Sequence, residues 1–322
     1  MGSEVAIAYL DVMSSPSELA PAVPGEVLSV AFESGPIRLY AHGPAASGTT
    51  RPVLLVHSLN AAASAYEVRP LYEDLSRSRP TYALDLPGFG GSARPARRYT
   101  PRLLCDAIAA VLATLRARSS ADAMDLVGVS TGCELVARLA YERPRDVHAL
   151  ALISPTGLDR RGPRRGPPGS TLGLPWLRAV LEPWGRPLFR LLTRPAVIRY
   201  FLERTFGGRV IDEGLFEYAV RTAAVEGAEH APISFLCGEL FSADVTTLYE
   251  GLEVPVWVAH GTRGDFTDYS GLAPLVASRG FGAHVYEAGA LPFFERRDEV
   301  VADLERFLAA PEEMRGRHVR RG

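Results

Sequence analysis

Apolar positions along this chain fall into two rhythms. Pro52–His57 (PVLLVH) is a short continuous apolar run, the mark of a strand buried on both faces of a parallel sheet. Thr81–Leu86, Met124–Val129, Val147–Ser154, Val254–His260 and Ala283–Tyr286 read the same way. Ahead of them, Val27–Phe32 and Ile37–His42 flank Gly35-Pro36 and predict a hairpin. Between the runs the apolar spacing is helical: near Ala61–Ser76, over 101–117 with Pro101 in the first turn, over Glu134–Ala140, and near Arg297–Ala309. The last of these carries Val300, Val301, Leu304, Phe307 and Leu308 as one stripe. Strand and helix in alternation predict right-handed βαβ units and an α/β fold with a doubly wound, mostly parallel sheet.

The rhythm breaks after Ser154. Residues 157–173 are dense in Arg, Pro and Gly without periodicity and read as a linker. Helical character follows, with no strand pattern before Val254–His260. Such an insert is expected to cover the C-terminal edge of the sheet, where open α/β sheets bind ligands. The predicted organisation is an irregular lead-in over 1–25, a core over 26–157 and 251–310, a helical cap over 158–250, and a solvated basic tail over 311–322.

Composition narrows the function. The chain has 322 residues, 47% hydrophobic and 22% charged, with a formal net charge of −2. That balance offers no basic excess for phosphates and argues against nucleic-acid binding. All 35 basic residues are arginine, so no lysine-bearing phosphate loop exists. Cys105, Cys133 and Cys237 are dispersed, with neither disulfide nor metal-ligand spacing, which points to a reducing cytoplasm. No basic segment followed by an apolar core opens the chain, and Ala6 stands where a myristoylation signal carries Ser or Thr. No apolar run reaches the ~20 residues that span a bilayer. The expectation is a soluble cytoplasmic protein acting on a small molecule, with no cofactor, metal or membrane partner and an open oligomeric state.

The chemistry centres on Gly128-Val129-Ser130-Thr131-Gly132, between the strand-like Asp125–Val127 and the helix-like Glu134–Ala140. In that setting G-x-S-x-G is a nucleophile elbow: the glycines let backbones crowd, and the serine projects from a sharp turn. His57-Ser58-Leu59-Asn60 follows the third strand, where the Leu59 and Thr131 amides would converge on a substrate oxygen. Asp85-Leu86-Pro87-Gly88-Phe89-Gly90-Gly91-Ser92 is a tight glycine turn after the fourth strand. Gly261–Asp265 places an acid after the strand ending at His260.

With these four motifs in order, residues 25–310 resemble the capped, serine-nucleophile branch of the α/β-hydrolase superfamily. The resemblance implies a serine nucleophile, a histidine base and an orienting acid, in the order Ser, acid, His. Ser130 matches the nucleophile and Asp265 the acid, with Asp268 as the alternative. A serine at the elbow excludes the dehalogenase and epoxide hydrolase branches, which need a carboxylate there. The histidine does not carry over. Gly289-Ala290-Leu291-Pro292-Phe293-Phe294-Glu295 fits the family's frame with Ala290 in the histidine's place, or Phe293 if it follows the proline. Of the histidines present, only His230, in the cap, has a route to Ser130. Ser58 and Asn60 are candidate substrate contacts, together with Trp184 among the cap aromatics. The resemblance therefore implies a hydrolase of an ester, thioester or activated C–C bond in a small apolar substrate, impaired by the missing base. The alternatives are a non-catalytic ligand-binding member and a cofactor-free lyase or isomerase in the same pocket.

Overall fold

A computed structural model describes residues 7–9, 19–45, 50–119 and 121–321. Ala6, like most of the predicted lead-in, lies outside them. Among the described residues ten strands form one sheet: β1 (Ile7–Tyr9), β2 (Glu26–Val30), β3 (Ile37–His42), β4 (Val53–Val56), β5 (Thr81–Leu84), β6 (Met124–Val129), β7 (Val147–Ile153), β8 (Val256–Gly261), β9 (Gly282–Tyr286) and β10 (His318–Arg321). Their order is β1-β2-β3-β5-β4-β6-β7-β8-β9-β10. The pairs from β1 to β5 through β3 are antiparallel, and the rest of the sheet is parallel.

Among the described residues twelve α-helices accompany it. Helices α1 (Arg69–Leu75), α2 (Pro101–Ser119) and α3 (Gly132–Glu142) precede the insert, which carries α4 (Pro175–Leu181), α5 (Gly185–Leu192), α6 (Pro195–Phe206), α7 (Glu213–Ala223), α8 (His230–Leu236) and α9 (Val245–Glu250). Helices α10 (Leu272–Arg279), α11 (Pro292–Glu295) and α12 (Arg297–Ala309) complete the fold. The period-two alternation of the strands divides the core. Leu54, Val56, Leu126, Leu150 and Val258 face α2, α3 and α10. Val53, Leu55, Val127, Ala151 and Trp257 face α1 and α12. Helices on both faces explain why these strands read as continuous apolar runs, and the sheet is doubly wound as expected.

Two ends depart from the sequence reading. Ile7–Tyr9 pairs antiparallel with β2, although 1–25 read as irregular. His318–Arg321, read as a solvated tail, pairs in parallel with β9. Both are edge additions held by backbone hydrogen bonds, which need no apolar pattern and so leave no periodic signal. Helix α10 was not anticipated either. Among the described residues no helix is long and apolar enough to cross a membrane.

Candidate functional site

The elbow is built by close approach. Ser130 has φ +51°, in the left-handed region that non-glycine residues avoid. Its amide donates to the Ile153 carbonyl at 2.8 Å, and its carbonyl accepts from the Cys133 amide at 3.0 Å. A Cβ at Gly128 would stand 2.6 Å from Val136 Cγ2, and one at Gly132 would run into the His57 carbonyl. Only glycine lets β6, α3 and the loop after β4 meet this tightly. Ser154, at the end of β7, holds the same φ of +51°, and strain clustered at neighbouring strand ends is the pattern expected of a functional position.

Ser130 lines a cavity of about 170 Å³ beneath the helical insert. From the loops come Ser58, Leu59, Asn60, Glu67, Thr131 and Thr156, and from the far wall Ala290 and Leu291. The insert contributes Leu202, Thr205, Leu215, Phe235 and Phe241, which make that side predominantly apolar. Of the predicted site residues, Ser130, Thr131, Leu59, Ser58, Asn60 and Ala290 therefore meet in one place. Asp265, Phe293 and Trp184 do not line it.

Each of the three has a physical reason. Trp184 is 68% exposed on the outer surface of the insert. Phe293 is fully buried, because Pro292 starts α11 and turns the ring into the core beside α12. Asp265 is half-exposed and forms a two-pronged ion pair with Arg204 of α6, Nη2 to Oδ1 at 2.6 Å. Asp268 is held by the Arg160 amide and guanidinium, both at 3.0 Å, and by the Ser270 amide at 3.2 Å. The Arg160 amide foremost, with Ser270, keeps its carboxyl down at about 2. Both carboxylates border a neighbouring cavity of about 470 Å³ that shares Thr156, Phe241 and Phe266 with the first.

The loop after β9 is clamped where Ala290 sits. Ser154 Oγ donates to the Ala290 carbonyl at 2.7 Å, and the Ala290 amide donates to the Thr205 carbonyl of α6 at 2.8 Å. Glu295 accepts from the Gly289 amide at 2.7 Å and pairs with Arg263. A Cβ at Gly289 would lie 2.5 Å from Phe206 Cα, so glycine there lets α6 close on the loop.

On the opposite wall the sequence reading missed Glu67. It is buried, with Oε2 accepting from the Ser58 amide at 2.9 Å and Oε1 from Asn60 Nδ2 at 2.6 Å. The only signal in the sequence is an acid seven residues beyond Asn60, in a stretch otherwise read as helix. The Leu59 amide, expected to face a substrate oxygen, donates instead to Thr131 Oγ1 at 2.7 Å. No described residue accepts from the Thr131 amide.

The histidines are engaged elsewhere. His57 is buried, with Nδ1 2.5 Å from the Ser58 carbonyl and Nε2 accepting from the Leu86 amide at 3.0 Å. Asp85 in that glycine turn accepts from Tyr40 Oη at 2.8 Å, the Ala65 amide at 2.7 Å and the Gly91 amide at 2.8 Å. His260 stacks on Tyr269, and burial lowers its pKa below 6.5. His284 Nδ1 accepts from Trp257 Nε1 at 2.7 Å, and His148 Nδ1 lies 2.9 Å from Asp125 Oδ1. His230 Nδ1 is 3.0 Å from the Arg94 carbonyl, away from the cavity. Ser130 Oγ makes no hydrogen bond to any described residue. Cys133, beside the elbow, is buried and its thiol is pushed well up by that burial, which makes it inert.

Comparison with known proteins follows this geometry. Over 110 residues the chain is 31% identical to 1-acylglycerol-3-phosphate O-acyltransferase ABHD5 of Rattus norvegicus, covering 34% of this chain and 31% of that protein. Over 180 residues it is 28% identical to (Lyso)-N-acylphosphatidylethanolamine lipase of Homo sapiens, covering 52% of this chain and 50% of that protein. The matches thus span no more than half the length of these relatives. The enol-lactonase from Burkholderia xenovorans LB400 shares the fold, with a TM-score of 0.67 at 21% identity over 87% of this chain and 99% of the other. The model of the alpha/beta hydrolase family matches residues 53–304, most of the chain and all of the cavity's walls, and the chain belongs to that family.

Proposed function

We propose that this chain is a serine hydrolase in architecture, with a pocket for an ester or thioester of a small apolar group, and that it turns such substrates over slowly because position 290 lacks a base. One observation carries this reading: Ser130, strained at the end of β6, shares its cavity with Ala290 and with no histidine. In the proposed reaction Ser130 Oγ attacks the carbonyl carbon, and the electron pair moves to oxygen beside the Thr131 amide. The serine proton needs an acceptor, and none stands there. In a serine protease, loss of the histidine alone costs about a million-fold in turnover. An acyltransferase and a lipase among the similar proteins support an acyl ester as the substrate class.

A second reading, a ligand-binding member of the family, is favoured by two details. The Leu59 amide is taken up by Thr131, and Asp265 is tied to Arg204. The test separates them. The native chain should hydrolyse p-nitrophenyl acetate close to the uncatalysed rate. Ala290→His should raise that rate about a hundred- to ten-thousand-fold, the usual worth of a general base. The gain should vanish in Ser130→Ala/Ala290→His. If Ala290→His folds but gains nothing, the ligand-binding reading stands instead. If the native chain is already fast and Ser130→Ala silences it, a base other than one at position 290 is serving.

A further inference from the structure

The insert exposes aromatic and aliphatic side chains that the core does not use. On α4, Trp176 is 64% exposed and Val180, one turn on, 57%. Trp184 at 68% leads into α5, where Leu191 is 49% exposed two turns further along the same face. The inward side of α5 is formed by Phe189, which is buried. Large apolar side chains gathered this way on one short stretch mark an interaction surface.

Charge says which kind. Residues 172–210 carry seven arginines and two glutamates, in a chain whose net charge is −2. Arg186 and Arg190 are exposed on α5, which Trp184 leads into, and Arg194 is exposed just after that helix. Among the described residues neither Arg190 nor Arg194 has an ion-pair partner, while Arg186 reaches Glu229 at 2.8 Å. A second copy docked face to face would set these arginines against their own kind. An anionic lipid surface offers the opposite charge, and tryptophan rings with arginine stems suit the water–hydrocarbon boundary.

We infer that α4 and α5 form a docking face for an anionic bilayer surface, with Trp176 and Trp184 entering the interface and Arg190 and Arg194 meeting lipid phosphates. This is peripheral attachment, consistent with the lack of a spanning helix among the described residues. It departs from the soluble, membrane-free expectation, and it stands independently of whether Ser130 is catalytic.

The chain carries its own probe. It has three tryptophans, and the third, Trp257, is fully buried. Vesicles of phosphatidylglycerol with phosphatidylcholine should shift the emission to the blue and sediment the protein, whereas phosphatidylcholine alone should do so weakly. Added salt should reverse the binding. Each arginine near the surface is worth about 1 kcal/mol, so Arg190→Ala and Arg194→Ala should each lower partitioning about five-fold. Trp176→Ser/Trp184→Ser should lose the fluorescence shift and most of the binding. These are surface positions, and unchanged thermal melting will show that the variants fold. Equal binding to both vesicle types, binding that survives all four substitutions, or no binding would overturn the inference. So would a dimer in solution that dissociates in the tryptophan variant, which would assign the face to a second copy.

Discussion

Glu134 shows at the residue scale how a buried charge links the elbow to the insert. It stands on α3, 1% exposed, and accepts from Thr156 Oγ1 at 2.5 Å and from the Ser242 amide at 2.6 Å. Burial raises its pKa above 4.5, against the lowering effect of those hydrogen bonds and of Arg164. A raised carboxyl pKa means that the folded chain holds this proton more tightly than the unfolded one. Its contribution is therefore fullest below pH 4.5 and declines as pH rises through the folded value. Glu134→Gln removes the titration while keeping an acceptor and adding a donor. Urea unfolding from pH 4 to 8 should show a less negative stability slope for Glu134→Gln than for the native chain. Identical slopes would mean that the carboxyl titrates as if exposed.

At the scale of elements, the insert is fastened to the core by a buried ion pair. Arg138 of α3 meets Asp244, just before α9, with Nη2 to Oδ1 at 2.5 Å and Nη1 to Oδ2 at 3.2 Å. Both side chains are about 5% exposed or less, and Asp244 also accepts from the Gly169 amide at 2.7 Å. Removing one partner strands a buried charge, so Arg138→Ala should cost about 3–5 kcal/mol in urea unfolding. Replacing both, as Arg138→Met/Asp244→Leu, should recover much of that loss. A double variant as unstable as the single one would place the cost in packing rather than charge. Helix α6 makes a further attachment, through Thr205 to Ala290 and through Arg204 to Asp265.

For the whole molecule, the sheet ends where β10 covers β9. The register runs from His318 opposite Ala283 to Arg321 opposite Tyr286, and the Ala283 amide donates to the Arg317 carbonyl at 2.7 Å. Deleting 315–322 would leave β9 as an open edge. The Ala283 amide should then exchange its hydrogen much faster, and the chain should lose about 1–3 kcal/mol, the net worth of a few hydrogen bonds. Unchanged exchange at Ala283 would show that the terminal strand does not protect the edge.

The sequence by itself determined eight of the ten strands, α2, α3 and α12, and the elbow, because each is encoded locally. Runs such as Pro52–His57 must be buried on both faces, and Gly128 and Gly132 are demanded by close approach at Ser130. The segment Gly289–Glu295, with Ala290 and no histidine, is likewise legible in the sequence alone. Only the tertiary structure separates Ala290 from Phe293, because the turn into α11 at Pro292 leaves one at the cavity and the other in the core. Asp265 answers to Arg204, Leu59 to Thr131 Oγ1, and Glu67 to Ser58 and Asn60, all partners distant in sequence or not marked by its periodicity. Which insert aromatics point outward was likewise decided by packing. A side chain's partner depends on how separate elements meet, and periodicity along one element carries no record of that meeting.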